Sequence, residues 1–254
     1  MQESTSYTVL IQLAAPLPQG AKVQVEIPSE VTDNFDSNIM KPILNTMDIA
    51  SATSTKTSSS PVTIEMTNSM TSGFYLSKNA IMMLSITNLI NPSSVATSSA
   101  FKVTTYDDTY IVESINTLTI TPTAGALTSV TITPTDTKVY ETTTYAFSLT
   151  SAHTVPANGQ IIVVLPSEVT TTTSADCTGE LTGKTATLDG TSLTCSRTTT
   201  QITIANPFSA TLAASTAVGF TMGSITNAGS TAATSAFTLK TTDSSANSID
   251  EETS

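Results

Sequence analysis

The sequence comprises 254 residues, of which 39% are hydrophobic and 11% are charged, and its 20 acidic and 9 basic residues give a formal net charge of −11. A chain this acidic has no basic surface to neutralise phosphate, so we expect neither nucleic-acid binding nor attraction to an anionic membrane surface. No apolar run approaches the ~18 residues of a membrane-spanning segment, and we predict no membrane span.

One stretch of the chain occurs twice. Residues 7–32 read YTVLIQLAAPLPQGAKVQVEIPSEVT, and residues 145–170 read YAFSLTSAHTVPANGQIIVVLPSEVT. Both stretches begin with tyrosine, at Tyr7 and Tyr145, and both end in Pro-Ser-Glu-Val-Thr. Repetition at a domain-sized period predicts two tandem domains, which we place at residues 1–122 and 123–254.

Strands with one buried face open each repeat. Apolar residues alternate along a first strand, then along a second strand that follows a proline-containing loop. The alternating positions of the two copies are Tyr7, Val9, Ile11, Val23, Val25 and Ile27, and Tyr145, Phe147, Leu149, Ile161, Val163 and Leu165. A period of two indicates β-strands that bury one face.

The later strands also recur. Ser-Ile-Thr-Asn occurs at residues 85–88 and 224–227, and Ala-Phe occurs at residues 100–101 and 236–237. We interpret the first pair as equivalent and place a three-residue shortening in the loop that follows it. Each copy then ends in a predicted hairpin. With no helical period of ten residues or more, the sequence predicts an all-β chain of two tandem immunoglobulin-like β-sandwich domains.

Repeat two has one strand more than repeat one. Residues 127–133, LTSVTIT, precede the repeated stretch in the second copy, and the first copy has no counterpart. We therefore predict that the first domain lacks its first strand within this chain. We expect that strand to come from sequence upstream of the chain, and the alternative is donation by another chain.

The two cysteines, Cys177 and Cys195, both lie in repeat two and flank one short segment. Two thiols are too few for a zinc site. We predict a local disulfide, which would indicate an oxidising, extracellular compartment, and the alternative is a pair of buried free thiols. Repeat one lacks both residues, so the bridge is an accessory to the fold.

No constellation of catalytic residues is evident. His153 is the only histidine and has no acid in its own loop, so we expect a solvated loop histidine and no enzyme activity. Acids gather at the two final hairpins, where we interpret them as turn residues and a solvated acidic edge, and the alternative is calcium at the domain junction. We expect no cofactor and no metal. The serine and threonine runs are compatible with O-linked glycans.

One outward strand face differs between the repeats. Gln24 and Glu26 of the first copy correspond to Ile162 and Val164 of the second copy. An apolar outward face indicates a candidate contact patch. The alternative is a sheet face covered by its own loop.

The order of these elements resembles the repeated immunoglobulin-like domains of very large ciliate extracellular proteins. Repeat two carries the pattern as IIVVLPSEV, the cysteine pair, SITN, TSAFTLKTTD and NSID, and repeat one carries VQVEIPSEV, SITN and SSAFKVTTYD without the cysteines. The resemblance implies a surface or secreted array of sandwich domains with a structural role. It supplies no functional residues.

Together these features predict a structural, non-catalytic segment of an extracellular fibre or cell-surface coat, whose partners are neighbouring copies of itself. The alternative is an adhesion or recognition module that binds a glycan or protein through its end loops.

Overall fold

The computed structural model describes residues 4–18, 20–33, 40–43, 53–59, 61–67 and 76–253. Regular structure in these residues is almost entirely β-strand, and their one helical element is the three-residue 3₁₀ turn Thr178–Glu180. The prediction of an all-β chain with two tandem sandwiches of immunoglobulin-like type is confirmed.

Two compact units make up the chain. The first comprises Gln2–Pro92 and Thr97–Pro122, and the second comprises Thr123–Ser254 together with Ser93–Ala96. The contiguous domain ranges 1–122 and 123–254 stay a prediction.

The described residues of the first unit form nine strands in two sheets. One sheet has the order β1-β7-β3, with β4 also paired to β7, and the other has the order β5-β6-β2-β8-β9. The strands are β1 Ser4–Gln12, β2 Lys22–Ile27, β3 Thr32–Asp33, β4 Met40–Ile43, β5 Thr53–Ser59, β6 Val62–Thr67, β7 Ile81–Ile90, β8 Phe101–Asp107 and β9 Tyr110–Leu118.

The second unit repeats this arrangement as β12 to β20 and adds two strands, β10 and β11. Its sheets have the orders β11-β12-β18-β14, with β15 paired to β18, and β10-β20-β19-β13-β17-β16. The strands are β10 Gly125–Ala126, β11 Thr128–Pro134, β12 Thr142–Thr150, β13 Gln160–Val164, β14 Thr170–Thr171, β15 Leu181–Thr182, β16 Thr194–Arg197, β17 Gln201–Ala205, β18 Ala217–Thr226, β19 Thr238–Thr242 and β20 Ser248–Thr253.

Each unit buries its own aliphatic core between the two sheets. Val25, Ile64 and Leu84 are at most 1% exposed in the first unit, and Val163 and Ile202 are fully buried in the second. These residues occupy alternate positions of their strands, so the side-chain alternation of a β-strand sends them inward together. The cores therefore follow from the period-two pattern of the sequence.

A shared bulge fixes the register of the repeats and corrects one prediction. Tyr7 pairs with Ile86, and Tyr145 pairs with Met222, so Ile86 of β7 corresponds to Met222 of β18. The Ser-Ile-Thr-Asn match would instead place Ile86 against Ile225. The two tetrapeptides are therefore not equivalent, contrary to our interpretation. The bulge residue at positive φ is Asn88 in β7 and Ser224 in β18.

The tyrosine beside each bulge makes the same hydrogen bond in both units. The hydroxyl of Tyr7 donates to Oδ1 of Asn91. The hydroxyl of Tyr145 donates to Oδ1 of Asn227 at 2.6 Å. The asparagine that corresponds to Asn227 is thus Asn91, and not the Asn88 that sequence identity suggested.

The length difference between the repeats falls between β6 and β7. Val25 pairs with Ile64 in the first unit, and Val163 pairs with Ile202 in the second, so β6 and β17 keep the alignment of the repeated stretch. The alignment has changed by the time the chain reaches β7 and β18. A change of length between strands leaves the shared scaffold intact.

Candidate functional site

An open groove runs between the two sheets of the first unit. Strands β1 and β9 are end strands of their sheets, and in the described part of the chain β1 pairs only with β7. Two adjoining depressions of about 150 and 280 Å³ lie along them. We call this site the open groove; its lining consists of residues 7–12 of β1, residues 101, 103 and 105 of β8, and residues 113–115 and 118–120.

In the second unit the corresponding space is filled by β10 and β11. β10 pairs in parallel with β20, and β11 pairs antiparallel with β12. Leu127 between them is 3% exposed, and Val130 and Ile132 pack against the core. The extra strand segment thus closes both sheet edges at once.

No such segment covers β1 among the described residues of the first unit, and the inward face of β1 is less buried than that of β12. Tyr145 and Leu149 are 5% and 0% exposed, whereas their counterparts Tyr7 and Ile11 are both partly exposed. Leu10, on the opposite face of β1, is 65% exposed. Apolar surface of this kind beside a strand edge is typical of an interaction site.

A carboxylate from the last strand caps the loop after the first strand in both units. In the second unit, Asp250 accepts hydrogen bonds from the backbone N–H groups of Ala152 and His153, each at 3.0 Å. In the first unit, Glu113 accepts from the N–H groups of Ala14 and Ala15 at 3.0 and 2.6 Å. The two acids are equivalent by strand register, since Thr105 pairs with Glu113 and Thr241 pairs with Asp250.

The second unit extends this cap with a histidine, which corrects our expectation of a solvated loop residue. Nδ1 of His153 lies 2.6 Å from Oδ1 of Asp250, and the two side chains are 14% and 0% exposed. The orienting acid comes from β20, at the far end of the chain. A Cβ atom on Gly125 would come closer than 3.0 Å to both side chains. β10 therefore requires glycine at position 125, where it crosses the His153–Asp250 pair.

The glutamate of the repeated Pro-Ser-Glu sequence clamps a distant loop in each unit. Glu30 accepts from the N–H and hydroxyl of Ser99 at 3.0 and 2.7 Å. Glu168 accepts from the N–H and hydroxyl of Ser235 at 3.1 and 2.8 Å. The serine hydroxyl is the principal group that holds the pKa of each glutamate below its ordinary value.

The cysteines of the second unit form the Cys177–Cys195 disulfide, and both residues are 1% exposed. Near the bridge, the Arg197 side chain is 4% exposed and donates to both oxygens of Glu180, at 2.7 and 2.8 Å. These hydrogen bonds lower the pKa of Glu180. Neither the arginine nor its partner was expected from the sequence, because Glu180 follows Cys177 and Arg197 follows Cys195, and only the folded segment brings them together.

The candidate patch at Ile162 and Val164 offers little free apolar surface. Ile162 is 8% exposed, and Val164 is partly exposed. Ile162 lies between Thr203 and Lys240 of the neighbouring strands, and a lysine side chain covers apolar neighbours with its methylene groups. A contact role for these two residues stays a prediction.

Within the described ranges, no group of three or more histidine, cysteine, aspartate or glutamate residues is arranged to hold a metal ion. The described residues also form no helix of the length and apolarity needed to cross a membrane.

The fold defines an all-β chain built from immunoglobulin-like sandwiches, and comparison with known proteins adds only weak similarities. No protein-family model matches the sequence, and no curated protein is significantly similar to it. The solved C-terminal domain of the Streptococcus pyogenes antigen I/II-family protein AspA is aligned over 99% of this chain and 92% of its own length, at 11% identity and a TM-score of 0.30.

The C-terminal domain of the Streptococcus agalactiae AgI/II polypeptide BspA is aligned over 94% of this chain and 88% of its own length, at 14% identity and a TM-score of 0.32. Identities and scores at this level establish neither a shared fold nor a shared function. The resemblance to ciliate repeat proteins and the extracellular location stay predictions.

Proposed function

We propose that this chain is a non-catalytic structural segment of an extracellular fibre or cell-surface coat, as the resemblance to ciliate repeat proteins implies. The proposal rests on one observation: the polar residues that the repeats share form hydrogen bonds within their own unit. The glutamate clamps, the tyrosine–asparagine bonds and the carboxylate caps all hold parts of the same unit together. Residues retained for scaffold contacts are what a repeated structural module requires.

Two further features support an extracellular setting. The Cys177–Cys195 disulfide suits an oxidising compartment. The low charged fraction of 11% leaves serine and threonine as the main surface polar groups, which suits O-linked glycans. The partners of such a segment are neighbouring copies of itself, and it needs no cofactor.

The second candidate function is an adhesion or recognition module, and two exposed tyrosines favour it. Tyr110, at the turn between β8 and β9, is 77% exposed, and Tyr140, in the loop before β12, is 75% exposed. An exposed tyrosine supplies a flat apolar surface with a hydroxyl, which serves both sugar stacking and protein contacts. Each residue lies at an end loop of its own unit.

The two functions are separated by paired measurements on the purified chain. Sedimentation velocity over a range of concentrations reports self-association, and a glycan array reports sugar binding. The structural proposal expects concentration-dependent assembly and no saturable glycan binding. A monomer that binds one glycan class, with binding lost in Tyr110→Ala or Tyr140→Ala and kept in Val139→Ala, would replace it with the adhesion module.

A further inference from the structure

We propose that the open groove of the first unit binds an extended strand, antiparallel to β1, with the sequence pattern of residues 125–134. This pattern is Gly-Ala-Leu-x-x-Val-x-Ile-x-Pro. The inference holds whether the chain is a fibre segment or an adhesion module.

Two open sheet edges, β1 and β9, border the groove. A strand at a sheet edge presents unpaired backbone N–H and C=O groups, which are a template for an added strand. In the described residues of the first unit, β1 and β9 are both such edges, and the groove lies between them. An edge that borders an apolar groove offers the incoming strand both backbone partners and a place to bury side chains.

The second unit gives the register of the occupant. There, Ile132 lies opposite Phe147, and Pro134 lies opposite Tyr145. The equivalent residues of β1 are Val9 and Tyr7, so the isoleucine of the incoming strand is expected opposite Val9. The leading arm of the strand then runs parallel to β9, as β10 does along β20.

The side chains of the groove select the same pattern. Ile11, Ile115 and Leu118 provide apolar surface, which matches the valine and isoleucine of the occupant. Gly125 pairs with Asp250 in the second unit, and the equivalent of Asp250 is Glu113. A small residue is therefore required where the strand crosses Glu113, because a larger side chain would displace the carboxylate from the N–H groups that it caps.

Residues 125–134 of the same chain are not themselves the occupant, because they are already engaged in the second unit. β11 pairs with β12, and Leu127, Val130 and Ile132 pack in the core of the second unit. Freeing it would expose that core. A strand supplied from outside leaves the second unit intact.

The first test is binding of a fluorescent peptide with the sequence of residues 123–135 to the purified chain, followed by anisotropy. We expect saturable binding that the double substitution Val130→Asp and Ile132→Asp in the peptide weakens at least about tenfold, since two charges would enter an apolar groove. Ile115→Asp in the protein, at a groove residue that is 42% exposed, should weaken binding similarly. Ile81→Asp is the matched control, because Ile81 is 57% exposed in the same unit and does not line the groove.

The second test fills the groove covalently. Residues 123–141 are fused directly ahead of Ser4, in place of residues 1–3, so that the natural connector joins the added strand to β1. This chain should lose peptide binding, while the same fusion with both aspartate substitutions should retain it. Equal binding of the original and charged peptides, or binding that survives the fusion, would each overturn the proposal.

Discussion

Removal of the Asp250 carboxylate is expected to destabilise the second unit severely. The side chain is fully buried and accepts three hydrogen bonds, two from the N–H groups of Ala152 and His153 and one from the histidine ring. Bonds to a carboxylate contribute about 1.5–3 kcal/mol each and are not additive, and buried N–H groups left without an acceptor add a desolvation cost. We expect Asp250→Ala to lower the free energy of unfolding by about 4 kcal/mol.

The matched control is the equivalent cap of the first unit. Glu113 accepts only two hydrogen bonds, one exposed and one partly buried, so water can replace the carboxylate at these donors. Glu113→Ala should therefore cost about 1 kcal/mol. The difference between the two substitutions reports the burial of Asp250 together with its additional hydrogen bond to His153, because the fold and the two backbone donors are the same.

Native-state hydrogen exchange measures the two effects separately. Core amides of β13 and β17 report the stability of the second unit, and core amides of β2 and β6 report that of the first. A loss of less than about 1 kcal/mol in the free energy of unfolding for Asp250→Ala would contradict the buried cap. An equal loss for Glu113→Ala and Asp250→Ala would contradict it as well.

Three further predictions follow from the second unit. Replacing Cys177 and Cys195 with serine should lower its stability by roughly 3 kcal/mol for a sequence separation of 18; thermal melting with and without reductant checks this, and an equal melting temperature would contradict it. Gly125→Ala should be destabilising because its Cβ meets the carboxylate–imidazole pair, whereas Gly179→Ala, with open space around it, should be near neutral in the same melts. The pKa of Glu168 is lowered in the folded state, so its contribution to the free energy of unfolding is complete above pH 4.5 and is lost as the pH falls through the folded value. Glu168→Gln should therefore flatten the acid limb of a pH–stability curve. An unchanged limb would argue against the clamp.

Much of the scaffold was predictable from the sequence, because the period-two pattern directly encodes which side chains face the core. The first two strands of each repeat and the final hairpins follow from it. The strand of repeat two without a counterpart in repeat one was also visible, and the structure relates it to the open groove.

The register of β7 was not predictable in this way. Four identical residues suggested an equivalence, but the bulge beside Tyr7 and Tyr145 sets the pairing, and bulge position depends on backbone geometry. A repeated tetrapeptide of residues that are common in strands is therefore weaker evidence of equivalent positions than the strand-pairing partner of the tyrosine beside the bulge.

The carboxylate caps were missed for a different reason. Glu113 and Asp250 differ in type and lie far along the chain from the N–H groups they bind. Residue identity does not show which backbone N–H groups act as donors to a side chain. His153 was judged by its own loop, whereas its partner comes from the last strand. The recurrence of an acid in both final hairpins was the available signal, but turn residues and a solvated acidic edge explain such acids equally well from the sequence alone.

Electron microscopy of the native material shows whether the chain is a segment of a fibre or coat. A structural segment of a fibre or coat predicts continuous filaments or a regular layer in which sandwich-sized domains repeat along the chain and neighbouring copies are in contact. Isolated particles that do not associate at any concentration would contradict that role and would favour the adhesion module.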